Sequence, residues 1–272
     1  MQNNLSTVGL ARDHLAAGTK AALLMKLADD PEVLARAARD DCPIPTPHQR
    51  IGYYGQDHFG YWLSGLSDLR TMREHFSRHF DQIRGPILDF GASTGRAARH
   101  WPMEPEGFEV HACELTGRMV DWMEHHLAGR VVPHQTAVMP PLPFADDTFG
   151  VIHAFSVFSH IFDAEEAWLE ELRRVARPGA AVALTIHNET TWALLPSLKF
   201  RIRDELEQNA EYRRIRAESD IMPDRLHLEQ SGVSYAFYSN AHVNTVWSKY
   251  FKVLAIEDRA HTYQSMVILT PR

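Results

Sequence analysis

The segment Asp89-Phe90-Gly91-Ala92-Ser93-Thr94-Gly95-Arg96 sets two glycines and two small residues behind a short apolar run, Pro86 to Phe90. Glycine lets backbone approach a ligand and takes positive φ without strain. A turn of this kind opening onto a helix offers amides to an anionic group, a phosphate or a carboxylate. About 25 residues after Asp89 an acid, Glu114, closes a second apolar run, Phe108 to Cys113, where it can accept both hydroxyls of a ribose. Turn and acid together suit a nucleotide-like ligand. Sixteen histidines are present, and two of them, His160 and His187, follow two further apolar runs, Gly150 to Phe155 and Ala180 to Ile186. A histidine there is placed to act as a general base. The two cysteines, Cys42 and Cys113, form no CxxC pair and no metal spacing, so no metal site is expected.

The elements that must position these residues follow from the texture of the chain. The apolar runs are short and bounded by turns, which is how buried parallel strands read. Val131-Val132 with Thr136-Ala137 adds a weaker strand. Helical stretches at 117–127 and 164–176 separate the strands, and strand-helix alternation means a doubly wound parallel sheet. Its ligand crevice lies at the carboxyl ends of the strands. The segments 251–256 and 266–269 have only a loop between them and must pair antiparallel. That gives seven strands, parallel except for the last. Ahead of the sheet, residues 5–40 read as helical, Pro43 to Pro47 as an extended linker, and 65–82 as a second helix. The expected organisation is an N-terminal helical cap over 1–84, then a domain over 85–272 with a helical insert at about 190–245.

Two more blocks share this order: Pro140-Pro141-Leu142-Pro143-Phe144 to Gly150, running into Ala154-Phe155-Ser156-Val157-Phe158-Ser159-His160-Ile161, and Trp168 to Gly179. With the glycine turn they resemble the class I S-adenosylmethionine-dependent methyltransferases, over about residues 85–187. The resemblance implies a Rossmann-like fold and S-adenosyl-L-methionine as cofactor. It implies that Gly91, Ala92, Ser93 and Gly95 wrap the methionine end, with Asp89 near its ammonium. It places Glu114 on the ribose, Leu115 against the adenine, and Phe155 and Ser156 under the sulfonium. Val138 stands where many relatives have an adenine-side Asp, so backbone of Val138 and Met139 takes that contact. Ser93 replaces the usual second glycine of the turn, and Gly150 the usual Asp after Phe149. Trp122 is read as core.

No Asn/Asp-Pro-Pro-Tyr/Phe sequence follows the fourth strand and no Pro-Cys pair occurs, which points away from nucleobase or glutamine nitrogen and from cytosine carbon. A small-molecule or glycan-like acceptor remains, with His160 and His187 as candidate bases and Tyr53, Tyr54, Tyr235 and Tyr238 as candidate lining. Arg50 to Gly55, two tyrosines flanked by glycines, reads as a mobile flap, and a chain lacking residues 1–48 is expected to keep a folded core. The net charge of −7 argues against a nucleic-acid partner. No apolar run would cross a bilayer and no signal peptide is evident; a cytoplasmic monomer or homodimer is expected. A nicotinamide-dependent oxidoreductase would share the turn and Glu114 but not the later blocks. A cofactor-binding, catalytically inactive partner subunit is the other reading.

Overall fold

The computed structural model describes residues 27–272, so the helical stretch expected over 5–40 lies largely outside the described residues. Two compact units are defined, one of residues 1–74 and 86–136, the other of 75–85 and 137–272. These divide the chain differently from a boundary at residue 84.

In the first unit, helix α1 (Pro31–Arg39) begins at Asp30, whose carboxylate accepts from the Glu32 amide, with Pro31 at the first helical position. Val33, Ala37 and Ile44 enter one apolar cluster with Phe59, Tyr61, Trp62, Leu63 and Leu66. Helix α2 (His58–Ser77) starts well before the expected residue 65. Asp57 caps it, accepting from the Gly60 amide at 2.7 Å. Residues 59–69 are buried all round, so no 3.6-residue apolar rhythm marks the start. Strands β1 (Ile87–Phe90), β2 (Val110–Glu114) and β3 (Val132–Gln135) pair in parallel. Helix α3 (Gly117–His126) connects β2 to β3 and buries Trp122, as read.

The second unit holds β4 (Phe149–Ala154), α4 (Glu165–Val175) and β5 (Ala176–Ile186). The segment after β5 is not wholly helical as expected. Short helices α5 (Glu189–Leu194), α6 (Arg201–Leu206) and α7 (Ala210–Glu218) lead into an antiparallel hairpin, β6 (Arg225–Gln230) and β7 (Val233–Tyr238). The cause is local. Leu226 and Leu228 alternate with exposed Arg225, His227 and Glu229, and Ser231-Gly232, both at positive φ, close a two-residue turn. Helix α8 (Asn240–Val246) returns the chain to β8 (Phe251–His261) and β9 (Gln264–Pro271).

The seven-stranded sheet has the order β3-β2-β1-β4-β5-β9-β8, with the hairpin a separate two-stranded sheet. β9 runs antiparallel to both β5 and β8, so the last strand alone is reversed, as the sequence pattern requires. Among the described residues no helix is long and apolar enough to cross a membrane.

Candidate active site

The glycine turn and Glu114 come together within the first unit. Gly91 (φ 79°), Ser93 (φ 53°) and Gly95 (φ 72°) all take positive φ. The turn leads into a 3-10 helix (Ala98–Met103), and the amides of Gly91 and Ala92 are spent on the Cys113 carbonyl at 2.8 and 3.0 Å. Those two amides are therefore not offered to an anionic group. Glu114 is held instead: its carboxylate accepts from Ser93 N and Thr116 N, each at 2.8 Å. Two fixed amide bonds orient an acid that still has lone pairs for further donors. Leu115 beside it is 51% exposed, an apolar side chain left for a ligand to cover. Asp89, buried at the end of β1, has its carboxyl pushed up to about 7. Burial does this first; Arg96 and the Ala98 amide oppose it and Glu114 adds to it. Arg96 is itself held by Asp68 at 2.6 Å and by the Ser64 hydroxyl at 3.2 Å.

In the second unit the two later motif blocks prove to be one device. Arg174 on α4 donates to the Phe144 carbonyl (2.8 Å), to Asp146 (2.8 Å) and to Glu171 (2.6 Å), while Glu171 accepts from Leu142 N (2.6 Å). The proline loop and the helix are thus bound through charge-assisted bonds, which are stronger than neutral ones. Trp168 Nε1 donates to the Val138 carbonyl at 3.1 Å. That leaves the side chains of Val138 (70% exposed) and Met139 (51%) facing solvent. Gly150 has a packing reason: a Cβ there would strike the Arg84 carbonyl.

The carboxyl ends of β4 and β5 carry a polar network that sequence reasoning only half saw. Phe155 packs near the rings of His153 and His261 at about 5 Å. Ser156 (φ 57°) donates its amide to Thr185 Oγ1 at 2.7 Å. Gln264, at the head of β9 and buried, accepts from Thr185 Oγ1 (2.8 Å) and Ser156 Oγ (3.2 Å), and its nitrogen faces His187 Nε2 at 3.2 Å. Neither Gln264 nor Thr185 was singled out from sequence. The available signal was a polar pair, Gln264-Ser265, opening an otherwise apolar strand.

His187 is buried, between Phe237 (ring centroids 4.9 Å) and Tyr263 (5.8 Å). Burial first, and then His160, hold its pKa down to about 3, against the pull of the Ala236 carbonyl. His160 is exposed, and its Nδ1 bonds the Ser234 carbonyl at 2.5 Å. The backbone around both histidines is gripped by β7: Ala236 N donates to Ser159 O (2.8 Å) and Tyr238 N to His187 O (2.9 Å).

The four tyrosines fall in different places. Tyr53 is 59% exposed; Tyr54 packs edge-on against Tyr61. The segment carrying them is pinned, not free: Arg50 is buried and donates to the carbonyls of Pro45 (2.9 Å) and Gly55 (2.5 Å). Tyr235 donates its hydroxyl to Glu205. Tyr238 is wholly buried, its hydroxyl on the Ile161 carbonyl and its ring stacked on His242, which is the position of a core residue.

Comparison with known proteins bears on the domain and the fold. Residues 88–184 match the family described as "Methyltransferase domain". The chain is 29% identical over 143 residues to "O-methyltransferase resE" of Aspergillus sclerotiorum, covering 47% of this chain and 52% of that one. It is 26% identical over 138 residues to "Methyltransferase GfsG" of Streptomyces halstedii, covering 47% and 49%. The chain thus spans about half the length of the curated relatives it matches. Among solved structures, the PH0226 protein of Pyrococcus horikoshii OT3 shares the fold with a TM-score of 0.54 at 19% identity, over 76% of this chain and 90% of that one. The glycopeptide N-methyltransferase MtfA gives a TM-score of 0.50 at 16% identity, over 76% and 90%.

Proposed function

We propose that this protein is an S-adenosyl-L-methionine-dependent methyltransferase acting on a small-molecule or glycan-like acceptor. The observation that carries the proposal is the held carboxylate of Glu114 beside a turn with three residues at positive φ, inside a segment that matches a methyltransferase domain. The residues of each unit fit the cofactor. In the first, Gly91, Ala92, Ser93 and Gly95 border its methionine end, Asp89 faces the ammonium, Glu114 takes the ribose hydroxyls and Leu115 covers adenine. In the second, Phe155 and Ser156 are assigned to the sulfonium, whose charge suits an aromatic face, and Val138 and Met139 to the adenine. The cofactor supplies a methyl carbon on positive sulfur. The protein's own work is to position the acceptor, exclude water and take up the acceptor's proton.

In the second unit the acceptor side is assigned to the carboxyl ends of β4 and β5, where His160 and His187 lie, with Tyr235 as candidate lining; in the first unit Tyr53 and Tyr54 are the candidates. One curated relative is named an O-methyltransferase, which puts hydroxyl acceptors among those to be tried. Isothermal titration with S-adenosylhomocysteine and with NAD tests the reading. Binding of the first alone is expected, together with a rise in Tm that grows with ligand concentration. No binding at millimolar S-adenosylhomocysteine would refute it. Binding without methyl transfer to any of a broad set of hydroxyl and amine acceptors would favour an inactive partner subunit.

A further inference from the structure

We infer that Gln264 is a positioning residue that locks His187 as a neutral Nδ1–H donor, which removes His187 from the candidates for general base and leaves that role to His160. The argument is one of donors and acceptors. Thr185 Oγ1 accepts the Ser156 amide at 2.7 Å, and of the two acceptors its proton can reach, the Gln264 oxygen at 2.8 Å is far nearer than the Ala154 carbonyl at 3.5 Å. Ser156 Oγ, at 3.2 Å, approaches the same oxygen of Gln264. An amide oxygen accepts and the amide nitrogen only donates. The nitrogen of Gln264 therefore faces Ser159 Oγ at 3.5 Å and His187 Nε2 at 3.2 Å as a donor. His187 Nε2 must carry the lone pair, and the proton of the neutral ring sits on Nδ1.

That Nδ1 is buried and makes no bond of hydrogen-bonding geometry, while the Ala236 carbonyl favours the protonated ring. A buried donor left without a strong partner costs about 1–3 kcal/mol, so its retention points to a ligand atom that completes it. His160, on the neighbouring strand exit, is the same Nδ1–H tautomer but spends that proton and leaves the other nitrogen open. The Ser234 carbonyl can only accept, so Nδ1 of His160 donates to it and Nε2 keeps the lone pair. The groups facing His187 among the described residues are His160, Gln264, Tyr263, Phe237 and the Ala236 carbonyl, and none of them is an acid that would charge the ring. One histidine is left with a hydrogen-bond donor, and the other with a lone pair.

The inference rests on the proposed methyl transfer only for what the two histidines are for, and the two readings fail independently: cofactor titration tests the one, tautomer assignment the other. The test is nitrogen NMR on the full chain labelled with 15N-histidine, the His187 signals being assigned by their loss in His187→Asn. The expected result is a protonated Nδ1 and a bare Nε2 that do not change between pH 8 and about pH 5. A proton on Nε2, or titration of His187 within that range, would overturn the proposal. In Gln264→Glu, nearly the same in shape, the carboxylate can only accept. The two nitrogens of His187 are then expected to exchange roles, while His160 keeps its tautomer. A His187 that kept Nδ1–H in that variant would show that Gln264 does not set it.

Discussion

The buried acid at the end of β1 gives the sharpest prediction at the scale of a residue. Asp89 holds its proton up to about pH 7, whereas an unfolded carboxylate loses it near 4. The folded chain therefore binds more protons than the unfolded one between those values. The stabilisation from Asp89 is complete below about pH 4 and is lost as pH rises through about 7. Urea unfolding of Asp89→Asn and the parent at pH 5 and pH 8 should show the variant gaining relative stability at the higher pH. A bound ammonium favours the ionised acid, so affinity for S-adenosylhomocysteine should rise from pH 6 to pH 8 in the parent and flatten in the variant. Glu114→Ala removes a charge-assisted acceptor, with each such bond contributing about 1.5–3 kcal/mol. It should weaken that ligand by at least about tenfold in isothermal titration. Glu114 was legible because an acid closing a strand after a glycine turn is a local pattern. Gln264 was not, since its partners reach it through the pairing of β9 with β5, where Ser265 sits opposite Ile186. No sequence spacing announces that register.

Among the elements, β4 carries a glycine for a packing reason. The Arg84 carbonyl occupies the space of the Gly150 Cβ. Gly150→Asp forces backbone to move and should cost about 2–4 kcal/mol, read as a drop in the urea midpoint at unchanged slope. The strands and helices between residues 87 and 186 were readable because each is a single run bounded by its own turn. The hairpin β6–β7 was missed for the opposite reason. Its alternation is short, it follows a run of charged helical residues, and its apolar face closes a local core with Trp192, Ile202, Leu206 and Tyr212. Helix α2 started early for a related reason: a segment buried all round has no polar face to give it a phase.

Taken as a whole molecule, the protein does not treat its N-terminal region as an appendage. Asp40, at the end of α1, is buried with Arg99, Nε to Oδ2 at 2.9 Å, and also accepts from Trp62 Nε1 (2.7 Å) and Arg130 (2.9 Å). Burial raises its pKa, but Arg99 and these hydrogen bonds outweigh burial and hold it below the usual carboxylate range. Its contribution is therefore present above the unfolded pKa and lost as pH falls through the lower folded one. Asp40→Ala would strand Arg99 in the interior and should cost about 3–5 kcal/mol in denaturant unfolding. The same contacts correct the expectation that residues 1–48 can be removed. The truncation takes away Val33, Ala37, Asp40 and Ile44 together. The shortened chain should lose cooperative unfolding in its first unit, visible as a broadened thermal transition.

The grip of β7 on the two strand exits has a consequence for how such a protein could be changed. Main-chain bonds from Ala236 and Tyr238 reach Ser159 and His187, and a backbone bond does not depend on side-chain identity. A change of side chain on β7 leaves those bonds in place. The helices over 189–218 are joined to the hairpin differently, through a shared core of Trp192, Ile202, Leu206 and Tyr212 with Leu226 and Leu228, so helices and hairpin can be exchanged only as one piece.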